Sequence, residues 1–517
     1  MNRKGWKGSV TVFFSLTCVL FLCLICSIVE SVRIQGARAQ TANIAGIGAF
    51  SLLGEFEQKL LEKYDIFALD ASYGKGDFQK KAVDQRLKEF VTCNTEPEKE
   101  KIAAWCFEPW NLTVSDSEVT DYVLLTDEKG EPFYQQAVAY MKTNLGTAAI
   151  SKLLEYVQDA QNIEEKQEEY EKNKTNNEKE MTSLETQKQQ KIEQLESEAA
   201  GERNDDAAGG NAIIEIEKKQ ELIPENPLQE IAKLRKRSVL EIVTWDKVIS
   251  DKKISKKGLP SSGKLKKGTY KIEKEYSGLT ANVLFREYLL EYFVNYLDGE
   301  NDLDLDYQME YIVGGKTSDQ DNLKYVVFRL MLLREGMNYL YCMNDAQMSM
   351  QAGSLATALT GFLGIPALTS ATKHALLLAW AYGESLIDIR VLLDGGKIPI
   401  HKDPSTWALA LENLGKITEL LEKGAADTGK GLAYRDYLRI LLHMGSLSKQ
   451  KLRALDLVQL NLQKENGMKN FKAENCIVAV KTNTKWRCDP VFLRLPQVVM
   501  GVSEKDLWIT QKSSMQY

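Results

Sequence analysis

The sequence predicts an α+β protein, mostly α: an N-terminal transmembrane helix continuing into a helical stalk, a helical-hairpin projection, and an α-rich extracytoplasmic body with a small β component. Three observations predict it. An uncharged apolar run opens the chain, apolar residues recur at helical spacing through most of the remaining sequence, and one short stretch alternates apolar with acidic residues. With 517 residues, of which 27% are charged and 44% apolar, the composition suits one anchor plus soluble mass better than a multi-span or disordered chain.

No charged residue occurs from Gly8 to Val29, and about twenty helical residues at ~1.5 Å each cross the ~30 Å hydrocarbon core of a bilayer. Arg3, Lys4 and Lys7 precede the run and Glu30 follows it, which places the N-terminus in the cytoplasm and the rest outside. The expected location is the cytoplasmic membrane, crossed once, with the bilayer as partner through residues 8–29. A cleaved secretory signal is the competing reading, because Ala37-Arg38-Ala39 offers an A-x-A pattern. Against it, the apolar run exceeds the ~7–15 residues of a signal core.

Beyond the span, Val32, Ile34, Ala37, Ile44, Ile47, Phe50, Leu53 and Leu60 continue a helical pattern over a stalk assigned to 30–63. Gly36, Gly46 and Gly48 each weaken a helix by about 1 kcal/mol relative to alanine, yet let a neighbour approach closely. Residues 64–149 are assigned to the first part of the body. At 150–249 a charged helical projection is expected. There Ile150, Leu153, Leu154 and Val157 form one face, EEKQEEYEKNKTNNEKE has almost nothing to bury, and Met181, Leu184, Ile192 and Leu195 resume a sparse stripe. A helix over Leu228–Val243 is expected to fold back along it. Residues 250–275 read as a lysine-rich linker, with seven lysines between Asp251 and Lys267. Such a segment is either a solvated loop or a grip on an acidic cell-wall polymer.

The α-rich C-terminal domain is assigned to 276–517. Leu303 to Val313 alternates with acids and reads as a half-buried strand. Ser318 with Asp321 resembles a capping box, opening a helix that turns Leu323, Val326, Val327, Leu330, Leu333 and Met337 inward. Helices are expected near Ala375–Leu393, Trp407–Leu421 and Tyr434–Met444. The uncharged stretch 352–370 reads as buried helices joined near Gly364-Ile365-Pro366, with a second membrane crossing as the alternative.

Residue patterns that carry chemistry are few. A net charge of −6, or −9 without Arg3, Lys4 and Lys7, disfavours nucleic acid as a partner. Gly424 to Lys430 has P-loop spacing, but Gly431 stands where a magnesium-binding hydroxyl is needed and the preceding KITELLEK reads as a helix. Asp298, Glu300 and Asp302 form the one calcium candidate, in a run lacking the EF-hand glycine. His374, His401 and His443 are far apart, with no metal-ligand spacing. Glu384 and Asp388 share one face of an apolar helix close to Arg390 and read as salt-bridged structural charges. Cys93 with Cys106, and Cys476 with Cys488, are spaced for two local disulfides, each contributing about 3 kcal/mol if formed. No catalytic residue, cofactor or firm metal site is expected.

Two resemblances bear on function. The basic start, Lys7-Gly8-Ser9-Val10-Thr11-Val12, the single helix, and then Glu30, Arg33 and Arg38 resemble the N-termini of TadE- and TadG-like pilus-assembly proteins. In pilin-like precursors the processing cut falls after a glycine, here Gly8 before Ser9, although Phe13 stands where an acid is usual. ESVRIQGARAQ, YDIFALD, YIVGGKTSDQDNLK and AWAYGESLIDIRVLLDGGK resemble a clostridial-type family catalogued only as a domain of unknown function. Together these imply a non-catalytic surface protein of a Tad-like pilus or secretion system. Its partners would be other proteins of that system, with self-association through the N-terminal helix. A membrane-tethered wall- or glycan-binding module is the alternative.

Overall fold

A computed structural model describes residues 7–96, 110–201, 226–423, 429–493 and 507–517. The chain divides into two compact units. The first holds Met1–Tyr140, Lys257–Tyr276 and Leu455–Tyr517, and the second holds Met141–Lys256 and Ser277–Ala454.

In the first unit the predicted span and the predicted stalk as far as Leu53 are one helix, α1 (Lys7–Leu53), which is the one described helix long and apolar enough to cross a membrane; it ends short of the stalk's expected limit at residue 63. Its large apolar side chains from Val10 to Val29 are exposed, whereas Glu30, Arg33, Ala37, Thr41, Ile44, Ala45, Ala49 and Leu52 are buried at helical spacing. The stalk is therefore a layer of the folded unit. It packs on α3 (Lys80–Thr95) and on a sheet of β1 (Leu69–Asp70), β2 (Leu112–Leu124), β3 (Cys476–Cys488) and β4 (Leu507–Gln516). The short α2 (Gln58–Tyr64) comes after α1.

The central strand β3 pairs antiparallel with β2 along one edge, and with β1 and then β4 along the other. Ala37, Ile44, Leu52, Leu87, Val91, Val119, Val480 and Trp486 fill the core between helices and sheet. Close approach needs the glycines of α1: a β-carbon at Gly36 would overlap the Trp110 ring, and one at Gly48 would lie 2.7 Å from a Val91 methyl.

The second unit is helical. It contains α5 (Thr147–Gly201), α6 (Pro227–Leu234), α7 (Val239–Val243), α8 (Gly278–Tyr292), α9 (Gln308–Gly314), α10 (Asp319–Asn344), α11 (Ala346–Thr360), α12 (Pro366–Leu393), α13 (Ile417–Lys423) and α14 (Tyr434–His443). Two further helices, α4 (Asp127–Asn144) and α15 (Leu447–Gln463), belong in part to each unit. The axis of the second unit is α12, buried on every side from Leu376 to Leu393, with α5, α6, α7, α10 and α11 packed around it. Ser318 caps α10 as the sequence predicts, its hydroxyl accepting from the Asp321 N–H.

Several expectations are corrected. Leu303–Val313 is no strand: its second half is the helix α9, which buries Gln308 to Ile312. The segment 150–201 is helical but does not project bare. Tyr170 is fully buried against Tyr339, Asn177 donates to the Ala371 carbonyl, and Leu184 packs with Met181 and Ile192 on Leu363 and Leu368. The expected return helix is two short pieces, α6 and α7, packed on α12. Trp407–Ala410 is not helical; a 3-10 turn covers Leu411–Lys416 before α13. The assigned C-terminal domain is divided, because β4 pairs with β3 and β3 pairs with strands from the first 124 residues. The linker is likewise shared between the units. Residues 352–370 form two helices meeting near Gly364-Ile365-Pro366, as expected, although many of their side chains are exposed.

Candidate functional site

Two assemblies of buried charge stand out, one in each unit. In the first unit Glu30 and Arg33 sit one turn apart on α1 and bond each other. Glu30 Oε2 accepts from the Phe492 N–H at 2.9 Å, while Arg33 donates to the Asp489 carbonyl at 3.0 Å and to the Trp110 carbonyl. The first charged residues after the apolar run are thus gripped by the fold itself. Arg38, by contrast, is exposed.

In the second unit Glu384 and Asp388 on α12 do share a face, and two cations meet them. Arg334 on α10 bonds Asp388 Oδ2 at 2.9 Å, and Lys402 lies 2.7 Å from Asp388 Oδ1 and also bonds Glu384. Asn338, one turn from Arg334, accepts from Arg334 and donates to Asp388 and to Ser385, each at 2.9 Å. Arg334 also donates to the Pro399 and Ile400 carbonyls and to the Tyr437 hydroxyl. All four charged side chains are nearly inaccessible. Burial and the neighbouring Asp388 charge push Glu384 above the usual carboxylate range. For Asp388, burial pushes the same way, but Arg334 and Lys402 outweigh it and hold the group low. Each carboxylate oxygen faces a cation or an N–H. The two carboxylates are therefore tied to neighbouring elements; a buried ion pair of this kind is weak evidence for added stability, but removing one partner is strongly destabilising.

What the cluster fixes is the segment after Lys402. Glu384 accepts the N–H groups of Ala408 at 3.0 Å and Leu409 at 2.7 Å, and Lys402 donates to the Thr406 carbonyl at 2.9 Å. Leu409 in turn accepts both indole N–H groups, from Trp380 and Trp407, at 2.7 Å each. The two indoles meet edge to face at 5.8 Å, and Tyr341 lies 5.4 Å from Trp407. This segment walls a cleft of about 1250 Å³, whose other sides come from α6, α11 and the 3-10 turn at 411–416.

The residues singled out in the sequence fare differently. Arg390 does not join Glu384 and Asp388; it pairs with Asp246 and Asp394. Asp298 caps a 3-10 turn by accepting from Asn295, and Glu300 and Asp302 are exposed. No group of three metal-type ligands exists among the described residues. The cation of that loop is internal: the Lys252 ammonium donates to the carbonyls of Asn301 and Leu303 and pairs with Asp306 at 2.7 Å. Lys256 and Lys266 also donate to protein acceptors, on Gly315 and Asn475, so the lysine segment is partly packed on the protein, while Lys253, Lys257, Lys264 and Lys267 are exposed.

Cys476 and Cys488 lie at opposite ends of β3 and are free thiols. Twelve positions at ~3.3 Å separate them by roughly 40 Å, against the ~7 Å limit for a disulfide. Cys93 is free and exposed, while Cys106 lies outside the described residues. Gly8 and Ser9 fall in the first turn of α1. Of the P-loop-like run, 424–428 lie outside the described residues, and the segment before it is the helix α13. His443 accepts from Arg286, and burial together with Arg286 and Arg439 pushes it down to about 3.

Fold and sites together define an α-rich protein with one exposed apolar N-terminal helix and a cleft braced by a buried ionic cluster. The chain belongs to the family of unknown function DUF5702, whose model matches residues 217–488, just over half of it. YIVGGKTSDQDNLK and AWAYGESLIDIRVLLDGGK fall inside that match; ESVRIQGARAQ and YDIFALD precede it. No curated protein and no solved structure matches the chain.

Proposed function

We propose that this protein is a non-catalytic, membrane-anchored surface component of a Tad-like pilus or secretion system, with its N-terminus in the cytoplasm and its two units outside. One observation carries the anchoring: α1 leaves the apolar run without a break, and within one turn Glu30 and Arg33 are bonded to residues 110, 489 and 492. Cleavage at Ala37-Arg38-Ala39 would remove both charged residues from a folded unit and cut a helix whose Ala37 is fully buried. A retained anchor keeps those contacts. The assembly role rests on the resemblance of the first ~50 residues to TadE- and TadG-like proteins. The non-catalytic reading is supported by the engagement of Glu384 and Asp388 with Lys402 and Arg334, and of His443 Nδ1 with Arg286, in internal contacts.

The intact mass and N-terminus of protein extracted from membranes test this. A chain keeping Met1 or Asn2 supports a permanent anchor, and one starting at Ser9 supports pilin-like processing. A chain starting at Gln40 would falsify the anchored reading. Cross-linking from an exposed position of the span, such as Phe14, should capture a second copy or another component of the apparatus; capture of lipid alone removes the assembly role.

A further inference from the structure

We infer that the cleft walled by Trp407 and α11 is a binding site for a neutral oligosaccharide. The inference stands apart from the pilus reading. Its first support is the pairing of side-chain types. Tyr341 and Trp407 present aromatic surface on one side. On another, Gln347, Gln351 and Ser354 occupy positions i, i+4 and i+7 of α11, one helical face, and all three are exposed. Sugars carry apolar C–H faces that pack on aromatic rings and hydroxyls that both donate and accept, the complement of planar amides. A purely apolar ligand would strip those amides of water without replacing its hydrogen bonds.

Charge is the second support. The acids at the cleft, Glu230, Asp345 and Glu412, face Lys233 and Lys416, and Glu230 is already paired with Lys233 at 3.1 Å. Neither sign dominates, so the site has no field to gather an anionic polymer or a cation.

The third support is rigidity. Both indole N–H groups are held by one carbonyl, and that carbonyl's own segment is held by Glu384 and Lys402 from a fully buried cluster. A wall fixed before the ligand arrives lowers the ordering entropy of binding. The volume of about 1250 Å³, above the ~300–1,000 Å³ usual for small-molecule sites, admits several sugar units.

The test uses the full-length chain in detergent, titrated with chitotetraose and with maltotetraose while heat and tryptophan fluorescence are recorded. Saturable binding with a Kd below about 1 mM, weakened at least about tenfold by Trp407→Ala, is expected. Because Trp407 also packs on Trp380 and Tyr341, the exposed pair Gln347→Ala with Gln351→Ala provides a variant that keeps the fold and should weaken binding severalfold. Absence of saturable binding to both sugars overturns the inference. So does binding that the variants leave unchanged, or binding confined to an anionic polymer such as polyphosphate.

Discussion

Glu30 with Arg33, and Glu384 with Asp388, are both pairs of polar residues one turn apart on an apolar helix, yet they are buried by different means. The first pair neutralises itself and uses its remaining valences on backbone groups of residues 110, 489 and 492. The second pair is like-charged and is tolerated only because Arg334 and Lys402 arrive from α10 and from the segment after α12. A self-neutralised pair fastens one helix to nearby backbone. A like-charged pair instead makes the placement of distant elements obligatory, since without them two carboxylates would be left in a low-dielectric interior.

The sharpest break of that contrast is Asp388→Ala, which leaves Arg334 and Lys402 buried with one carboxylate between them. A loss of about 3–5 kcal/mol is expected, read as lost hydrogen-exchange protection in α10 and α12, with the sheet of the first unit keeping its own.

A carboxylate buried among hydroxyl and N–H donors instead of cations should show the opposite behaviour. Glu310 is fully buried, accepts from the Tyr434 hydroxyl and the Tyr296 N–H, and is pushed up to about 7 by burial. Its folded form favours the proton, so the stability it contributes is present below pH ~4.5 and is lost as pH rises toward 7. That loss is at most about 3 kcal/mol. Denaturant midpoints at pH 5 and pH 7.5 should differ in the wild type and differ less in Glu310→Gln; equal differences in the two proteins would sink this account.

Just past the apolar run, Gly36→Ala drives a methyl into Trp110 and should cost about 1–3 kcal/mol in the first unit. A melting temperature equal to wild type would show that Trp110 moves aside freely. Smallest and most discriminating is the lysine pair: Lys252→Met empties the cradle of Asn301, Leu303 and Asp306 and should cost about 1–3 kcal/mol. Lys253→Gln, at an exposed position, should stay within about 0.5 kcal/mol. Equal effects would mean that Lys252 is as solvated as its neighbour.

Much of the helical half was legible. The span, the length of α5, the cap at Ser318 and the interior helix α12 follow from apolar spacing and local capping, which depend on residues a few positions apart. The sheet was missed for a physical reason. On β3 the inward positions after Val480 include Thr482 and Thr484, and β2 is interrupted by bulges, so hydrophobic alternation is blurred in both. The acidic run at 298–306 misled for the converse reason: its alternation mimics a strand, while its Asp306 answers Lys252, about fifty positions earlier. Likewise Arg334 and Asn338 lie on the same helical face as Leu323, Val327 and Leu330, a visible polar break in an apolar stripe. Lys402, which meets the same Asp388 from the segment after α12, left no local mark at all.

The 47 residues of α1 contain no joint. At ~1.5 Å per residue this is a rod of about 70 Å, with its lower part free and its upper part built into the first unit. On the anchored reading proposed above, a bilayer holding residues 8–29 would set the attitude of that unit, because a continuous helix passes tilt or rotation of the span on to the sheet. The unit would then not swivel as a tethered ball does. It would act as the head of a mast, delivering lateral force as torque at the membrane.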